Sequence, residues 1–115
     1  MKTIAVYGSL KKGKYNHELL KNAKFLGEAH IAGTLYSLGS YPALVEGNHE
    51  LYEVEIYEVS DEDVEFVDMV EKGAGYIEKV EQFVVDGQLI EATVYYAGKS
   101  LAEYCEKNKQ VISNY

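Results

Sequence analysis

Leu51-Tyr52-Glu53-Val54-Glu55-Ile56-Tyr57-Glu58-Val59-Ser60-Asp61-Glu62-Asp63-Val64 changes its hydrophobic period at Ser60. Up to Val59 the residues alternate, with Leu51, Glu53, Glu55 and Tyr57 on one face of a strand and Tyr52, Val54, Ile56 and Glu58 on the other. Ser60 then offers the hydroxyl of a helix N-cap. Asp61, Glu62 and Asp63 fill the first turn, where the positive end of the helix dipole favours them. The helix is expected to run to about Lys72, before Gly73 and Gly75 stop it. A strand passing into a capped helix excludes an all-β or all-α chain.

Strand signals continue on both sides. Residues 76–85 and 88–96 read as two strands joined by Asp86-Gly87, a strong hairpin-turn dipeptide. Beyond them, Ser100-Leu101-Ala102-Glu103 has the pattern of a capping box opening a last short helix, and the tail from Lys107 is expected to be loosely held. Upstream, residues 3–8 suit a buried strand, and Asn16 is placed to cap a short helix over 17–23. Residues 24–38 alternate loosely around Gly27 and Gly33, as a long bent strand or hairpin with bulges would. Tyr41-Pro42 marks a turn or an edge. The fold class is α+β: a small mixed β-barrel or strongly curved sheet with short flanking helices, in a single domain over residues 1–115.

Composition narrows the partners. The chain has 115 residues and is 47% hydrophobic, enough for one core without metals or disulfides. With 11 Lys and Arg against 19 Asp and Glu the formal charge is -8, which disfavours nucleic acid and anionic membranes. Cys105 is the only cysteine, so no internal disulfide forms, and no signal-peptide pattern or membrane-spanning run is present; a cytoplasmic location is the expectation. His17, His30 and His49 lack metal-ligand spacing. Eleven tyrosines suit sheet surfaces and a pocket lining, since base stacking would call for a basic groove.

One carboxylate falls where helix periodicity puts core residues. Val64, Val67 and Glu71 occupy i, i+3 and i+7, so Glu71 shares the apolar stripe and is expected to be partly buried. It also sits in the last turn, where the helix dipole opposes negative charge. Burial and dipole both raise its proton affinity, which suits a general base near neutral pH. The alternative is that the helix frays after Val70 and Glu71 reaches solvent or pairs with Lys72 or Lys79.

The N-terminal strand breaks at Gly8-Ser9-Leu10-Lys11-Lys12-Gly13-Lys14-Tyr15. This is G-x-x-x-x-G-K-[ST] except at its last position, where Tyr15 lacks the hydroxyl geometry that would hold magnesium. The chain also lacks the strand and helix alternation of a parallel nucleotide-binding sheet. What remains is a loop whose backbone N–H groups make a cradle for a carboxylate or an oxyanion.

Val6-Tyr7-Gly8-Ser9-Leu10-Lys11-Lys12-Gly13, Asn16-His17, the run from Tyr36 to Val45, Glu55-Ile56-Tyr57-Glu58-Val59 and Val67-Asp68-Met69-Val70-Glu71 appear in the order of a known family. Over nearly its whole length the chain resembles the γ-glutamylcyclotransferase-like family, which includes γ-glutamylamine cyclotransferase and AIG2-like proteins. The resemblance implies a cavity lined by the Tyr-Gly-Ser-Leu loop and a catalytic glutamate carried onto Glu71. It also implies a small-molecule γ-glutamyl substrate, whose α-amine attacks its own γ-carbonyl to release 5-oxoproline and an amine, without a cofactor. Backbone N–H groups of Gly8, Ser9 and Leu10 would bind negative charge on the substrate, and Tyr7 and Tyr76 would shape the walls. Glu55 is a further acidic candidate, pointing inward to the substrate or outward to solvent. Tyr7 and Tyr57 also read as core aromatics. The chain departs from the family in having Val54 for a usual glycine and Tyr76-Ile77-Glu78 for Tyr-x-Arg, which points to a different amine or to another acidic-group partner. The alternative function is a non-catalytic pocket that binds a small acidic metabolite or a protein partner.

Overall fold

The computed structural model describes residues 2–7, 20, 22–38 and 42–112. Its elements are β1 (Lys2–Val6), β2 (Lys24–Ser37), β3 (Pro42–Val59), α1 (Asp61–Gly73), β4 (Tyr76–Val85), β5 (Gln88–Ala97), α2 (Lys99–Asn108) and β6 (Val111–Ile112). The six strands form one mixed sheet in the order β4-β5-β1-β3-β2-β6, antiparallel except where β1 runs parallel to β5. Of the predicted helix at 17–23 only Leu20, Asn22 and Ala23 are described, with Ala23 N donating to Leu20 O at 2.9 Å, and the cradle residues Gly8, Ser9 and Leu10 lie outside the described residues.

The sheet curls without closing into a hydrogen-bonded ring among the described residues, so it is the strongly curved form of the expected architecture. Its curl brings β2 onto β4 at Gly27, where a Cβ would run into the Val85 side chain and where φ is +145°, a region that favours glycine. β2 is one long strand, with register shifts at Phe25/Gly27 and at Gly33/Thr34, beside the two glycines.

β3 is longer than its alternation suggests. Thr34 faces Val45 while Gly33 faces Glu50, so residues 46–49 bulge out unmatched and break the period of two. Pro42 opens β3 at its first residue, opposite Ser37, where a missing N–H is tolerated; among the described residues β1 pairs only with 55–59 of this strand, so Pro42 is paired on one side, as at an edge. Asp86 (φ 50°) and Gly87 (φ 78°) make the tight turn from β4 to β5.

Two corrections fall at the C-terminus. α2 begins at Lys99 with Gly98 as its N-cap and no capping side chain, so the Ser100 box does not open the helix. Gly98 N donates to Gly75 O at 3.0 Å, and a Cβ on Gly98 would lie 2.8 Å from that oxygen, so this contact sets the start. Within the described residues the tail is held rather than loose as far as Ile112: α2 continues to Asn108, and Ile112 and Val111 pair with Leu35 and Tyr36. Tyr52 reinforces that pairing, since its hydroxyl accepts from Leu35 N at 3.2 Å and lies 3.2 Å from Ile112 O.

The sheet is buried on both faces. One face gathers Ala5, Leu44, Val54, Ile56, Phe83 and Val94; the other gathers Ile4, Val6, Val59, Val64, Val67 and Cys105 beneath the helices. β1 and the second half of β5 therefore read as continuous apolar runs, as centrally placed strands do.

Candidate active site

Ser60 fixes where α1 starts: its Oγ accepts from Asp63 N at 3.3 Å. From that start the helical period turns Val64 and Val67 into the core and places Glu71 one turn beyond them on the same stripe. α1 runs to Gly73, so the helix does not fray at Val70. Glu71 is half-buried, and loss of water around its carboxyl raises its pKa from 4.5 to about 7.

The lysines that would neutralise it are engaged elsewhere. Lys72 Nζ lies 3.1 Å from Asp68 Oδ2 and 3.4 Å from Glu78 Oε1, and Lys79 Nζ lies 2.7 Å from Glu46 Oε1. Among the described residues the Glu71 carboxylate makes no hydrogen bond or ion pair. A carboxylate that is desolvated and uncompensated holds its proton until near neutrality and is poised for proton transfer.

Three tyrosines stand with it. Tyr7 follows β1 and is buried; its hydroxyl donates to Tyr95 O and accepts from Leu44 N at 3.3 Å, linking β1 to β5 and to the start of β3. Its pKa is pushed well up by burial first, then by Tyr76, with Glu71 contributing, which puts all three groups in one electrostatic neighbourhood. Tyr76 opens β4, and its hydroxyl donates to Pro42 O at 2.6 Å. Tyr95 donates to Asp68 Oδ1 at 3.1 Å; its phenol is raised by burial, by Asp68, and by Glu78 and Glu71.

Electrostatics thus link Tyr7, just after β1, to Glu71 of α1 and to Tyr76 of β4. Tyr7 and Tyr76 use their hydroxyls on backbone groups, tying their segments to β5 and to the start of β3. Glu55 sits elsewhere in the hydrogen-bonding scheme. It accepts from Tyr57 Oη at 3.0 Å and faces Val6 on one side and Glu28 on the other. Tyr57 is a core residue as well, packed with the side chains under α1.

Tyr95 and Asp68 were not singled out from sequence. The signal was present: a two-residue Asp86-Gly87 turn sets the hairpin register, which puts Tyr95 opposite Glu78. A separate cleft of about 340 Å³ lies between β2, β3 and β6, lined by Thr34, Tyr36, Glu50, Tyr52 and Val111, and includes none of the predicted site residues. Among the described residues no group of three or more His, Cys, Asp or Glu side chains is placed to hold a metal.

With this arrangement in view, the likeness to known proteins is specific. The sequence model of the family described as gamma-glutamyl cyclotransferase, AIG2-like matches residues 4–114. The chain belongs to that family. A Pyrococcus horikoshii relative is 48% identical over 73 residues, spanning 64% of this chain and 62% of that protein, so the match covers less than two thirds of its length. A Methanocaldococcus jannaschii relative is 32% identical over 105 residues, 87% of this chain and 88% of that one. The AIG2-like fold is shared with solved structures. A mouse AIG2-like protein superposes with a TM-score of 0.80 at 25% identity, covering 100% of this chain and 88% of the other. The Pyrococcus horikoshii crystal structure gives 0.73 at 33% identity, covering 98% and 86%. The described sheet and its two helices therefore carry the AIG2-like architecture, and Glu71 and the bracing tyrosines fall within the matched range.

Proposed function

We propose that this protein is a γ-glutamyl cyclotransferase that releases 5-oxoproline and an amine from a γ-glutamyl amine or related small amide. The observation that carries the reading is Glu71: a desolvated carboxylate with its pKa at about 7, free of a cation among the described residues, beside Tyr7 and Tyr76 in a chain of this family. A Niallia circulans relative, 40% identical over 77 residues covering 65% of this chain and 49% of that protein, is named gamma-L-glutamyl-butirosin B gamma-glutamyl cyclotransferase.

The chemistry calls for few parts. The substrate α-ammonium loses a proton to the Glu71 carboxylate, and the freed amine attacks the γ-carbonyl carbon to close a five-membered ring. Glu71 then returns the proton to the leaving nitrogen as the amide C–N bond breaks, and the second proton shed by the attacking nitrogen also passes to the departing amine, which leaves as an ammonium while the ring nitrogen becomes the lactam N–H. Ring closure gains from intramolecularity, so the protein mainly folds the substrate and moves protons from the attacking to the leaving nitrogen. A base with a pKa near the working pH serves both transfers, because neither protonation state is strongly favoured. Backbone N–H groups at Gly8, Ser9 and Leu10 supply the donors for the α-carboxylate or the oxyanion, and Tyr7 and Tyr76 hold the walls. The reaction uses no cofactor.

Incubation with a panel of γ-glutamyl amines and γ-glutamyl dipeptides, with 5-oxoproline measured by chromatography, tests the reading. Product is expected from at least one member, and Glu71→Gln is expected to lower turnover at least a hundredfold, the scale of general acid–base catalysis. Absence of product across the panel, or full activity in the variant, refutes it.

A further inference from the structure

Three carboxylates surround the Tyr95 phenol: Asp68, hydrogen-bonded to it at 3.1 Å, and Glu78 and Glu71, both close enough to raise its pKa. They are treated differently. Asp68 and Glu78 share the Lys72 ammonium at 3.1 and 3.4 Å, and Glu78 also takes Lys2 Nζ at 3.1 Å. Glu71, the immediate neighbour of Lys72 in sequence, has no ammonium on it among the described residues. The family's usual arginine position, held here by Glu78, thus supplies a negative charge that occupies two lysines.

We propose that Asp68 and Glu78 are positioning residues for Glu71: by holding the Lys72 ammonium between them, they keep the last turn of α1 from placing a cation against the site carboxylate. Among the described residues, Tyr7, just after β1, and Tyr95 of β5 feel the charge of Glu71. Nearby stand Tyr76 and Glu78 of β4, Lys2 of β1 and the Asp68 and Lys72 of its own helix. Of these only Lys72 and Lys2 are cationic, and both are bound to acidic partners. Lys72 would otherwise be free to sample positions nearer Glu71, and a positive charge there favours the ionised carboxylate. The base would then be ionised at lower pH and less able to hand a proton to the leaving amine. That catalytic consequence rests on Glu71 being the base.

The test is residue-specific titration of the Glu71 carboxyl by carbon-13 NMR, assigned with Glu71→Gln, on the full chain. The Asp68→Asn/Glu78→Gln double variant releases Lys72 and is expected to lower the Glu71 midpoint enough for a threefold or greater change in proton affinity. The triple variant that adds Lys72→Met is expected to raise the midpoint again from that of the double variant. Lys2 is freed equally in both, so it cancels. The ion pairs are partly exposed and contribute little to folding. Should the double variant not fold, Glu78→Gln against Glu78→Gln/Lys72→Met gives the same comparison. An unchanged midpoint in the double variant overturns the proposal. A lowered midpoint that stays low in the triple overturns it too, because removal of like charge alone would then explain the shift. The acid limb of kcat/KM on a γ-glutamyl amide should move with the midpoint. If no amide is turned over, the cyclotransferase reading fails while the titration still decides the role of Lys72.

Discussion

Glu71→Gln should make the protein more stable at alkaline pH. The carboxyl has its pKa raised from 4.5 to about 7 by desolvation. Below pH 4.5 it is protonated in both the folded and unfolded chain, and it carries no penalty. As pH rises from 4.5 to 7 the unfolded chain ionises first and stability falls; above 7 the full penalty stands. The gap corresponds to about 3 kcal/mol as an upper bound, and to about 1–3 kcal/mol once solvent contact at this half-buried residue is allowed for. Glutamine has nearly the same shape and no charge. Urea unfolding of wild type and Glu71→Gln at pH 4 and pH 8.5 measures the effect: the two should agree at pH 4, and the variant should be more stable by about 1–3 kcal/mol at pH 8.5, or roughly 4–12 °C in Tm. All other acids cancel in the difference. A variant that is equal or less stable at pH 8.5 would refute the desolvated, uncompensated state of Glu71, and with it the physical case for a neutral-pH base.

Tyr7→Phe leaves Leu44 N–H without its acceptor and Tyr95 C=O without its donor inside the core, and should cost about 1–3 kcal/mol in urea unfolding; a loss below about 0.5 would show that the brace is dispensable. Gly27→Ala meets both a positive φ and the Val85 side chain, so it should lose at least about 2 kcal/mol, and adding Val85→Ala should recover part of that loss in the same assay. Ser60→Ala removes the acceptor for Asp63 N–H and should cost about 1 kcal/mol, with thermal unfolding as the measurement; no change would mean that the cap is redundant.

Features set by local chemistry were legible in the sequence. Ser60 announces α1, Asp86-Gly87 announces the β4–β5 turn, and Gly27 and Gly33 sit at the irregularities of β2, because each depends on backbone behaviour within a few residues. The position of Glu71 on the buried stripe followed from the 3.6 period alone. What stayed hidden involves distant partners. Gly98 starts α2 because Gly75 presses against it, and that contact overrides the local preference of Ser100 for a cap. β6 is too short to signal itself and exists because Leu35 and Tyr36 receive it. The bulge at residues 46–49 masked the first half of β3 by shifting its phase. The ties from Tyr95 to Asp68 and from Tyr7 to Tyr95 cross the sheet between elements far apart in sequence, and no local pattern encodes them.

β1 lies between β3 and β5, paired antiparallel along Lys2–Val6 with the first and parallel at Ile4 and Ala5 with the second. The first of the described strands in chain order is therefore among the last to be enclosed. The β2–β3 hairpin closes with its own nearby residues, but β1 waits for residues 93 and 94 before its second edge is satisfied, a long loop to close and a slow one. Tyr7 waits with it, because one of its two braces is the Tyr95 carbonyl. A nascent chain that stalls before β5 would hold a formed hairpin and helix yet lack the strand that completes the β1 pairing and carries the Tyr95 carbonyl.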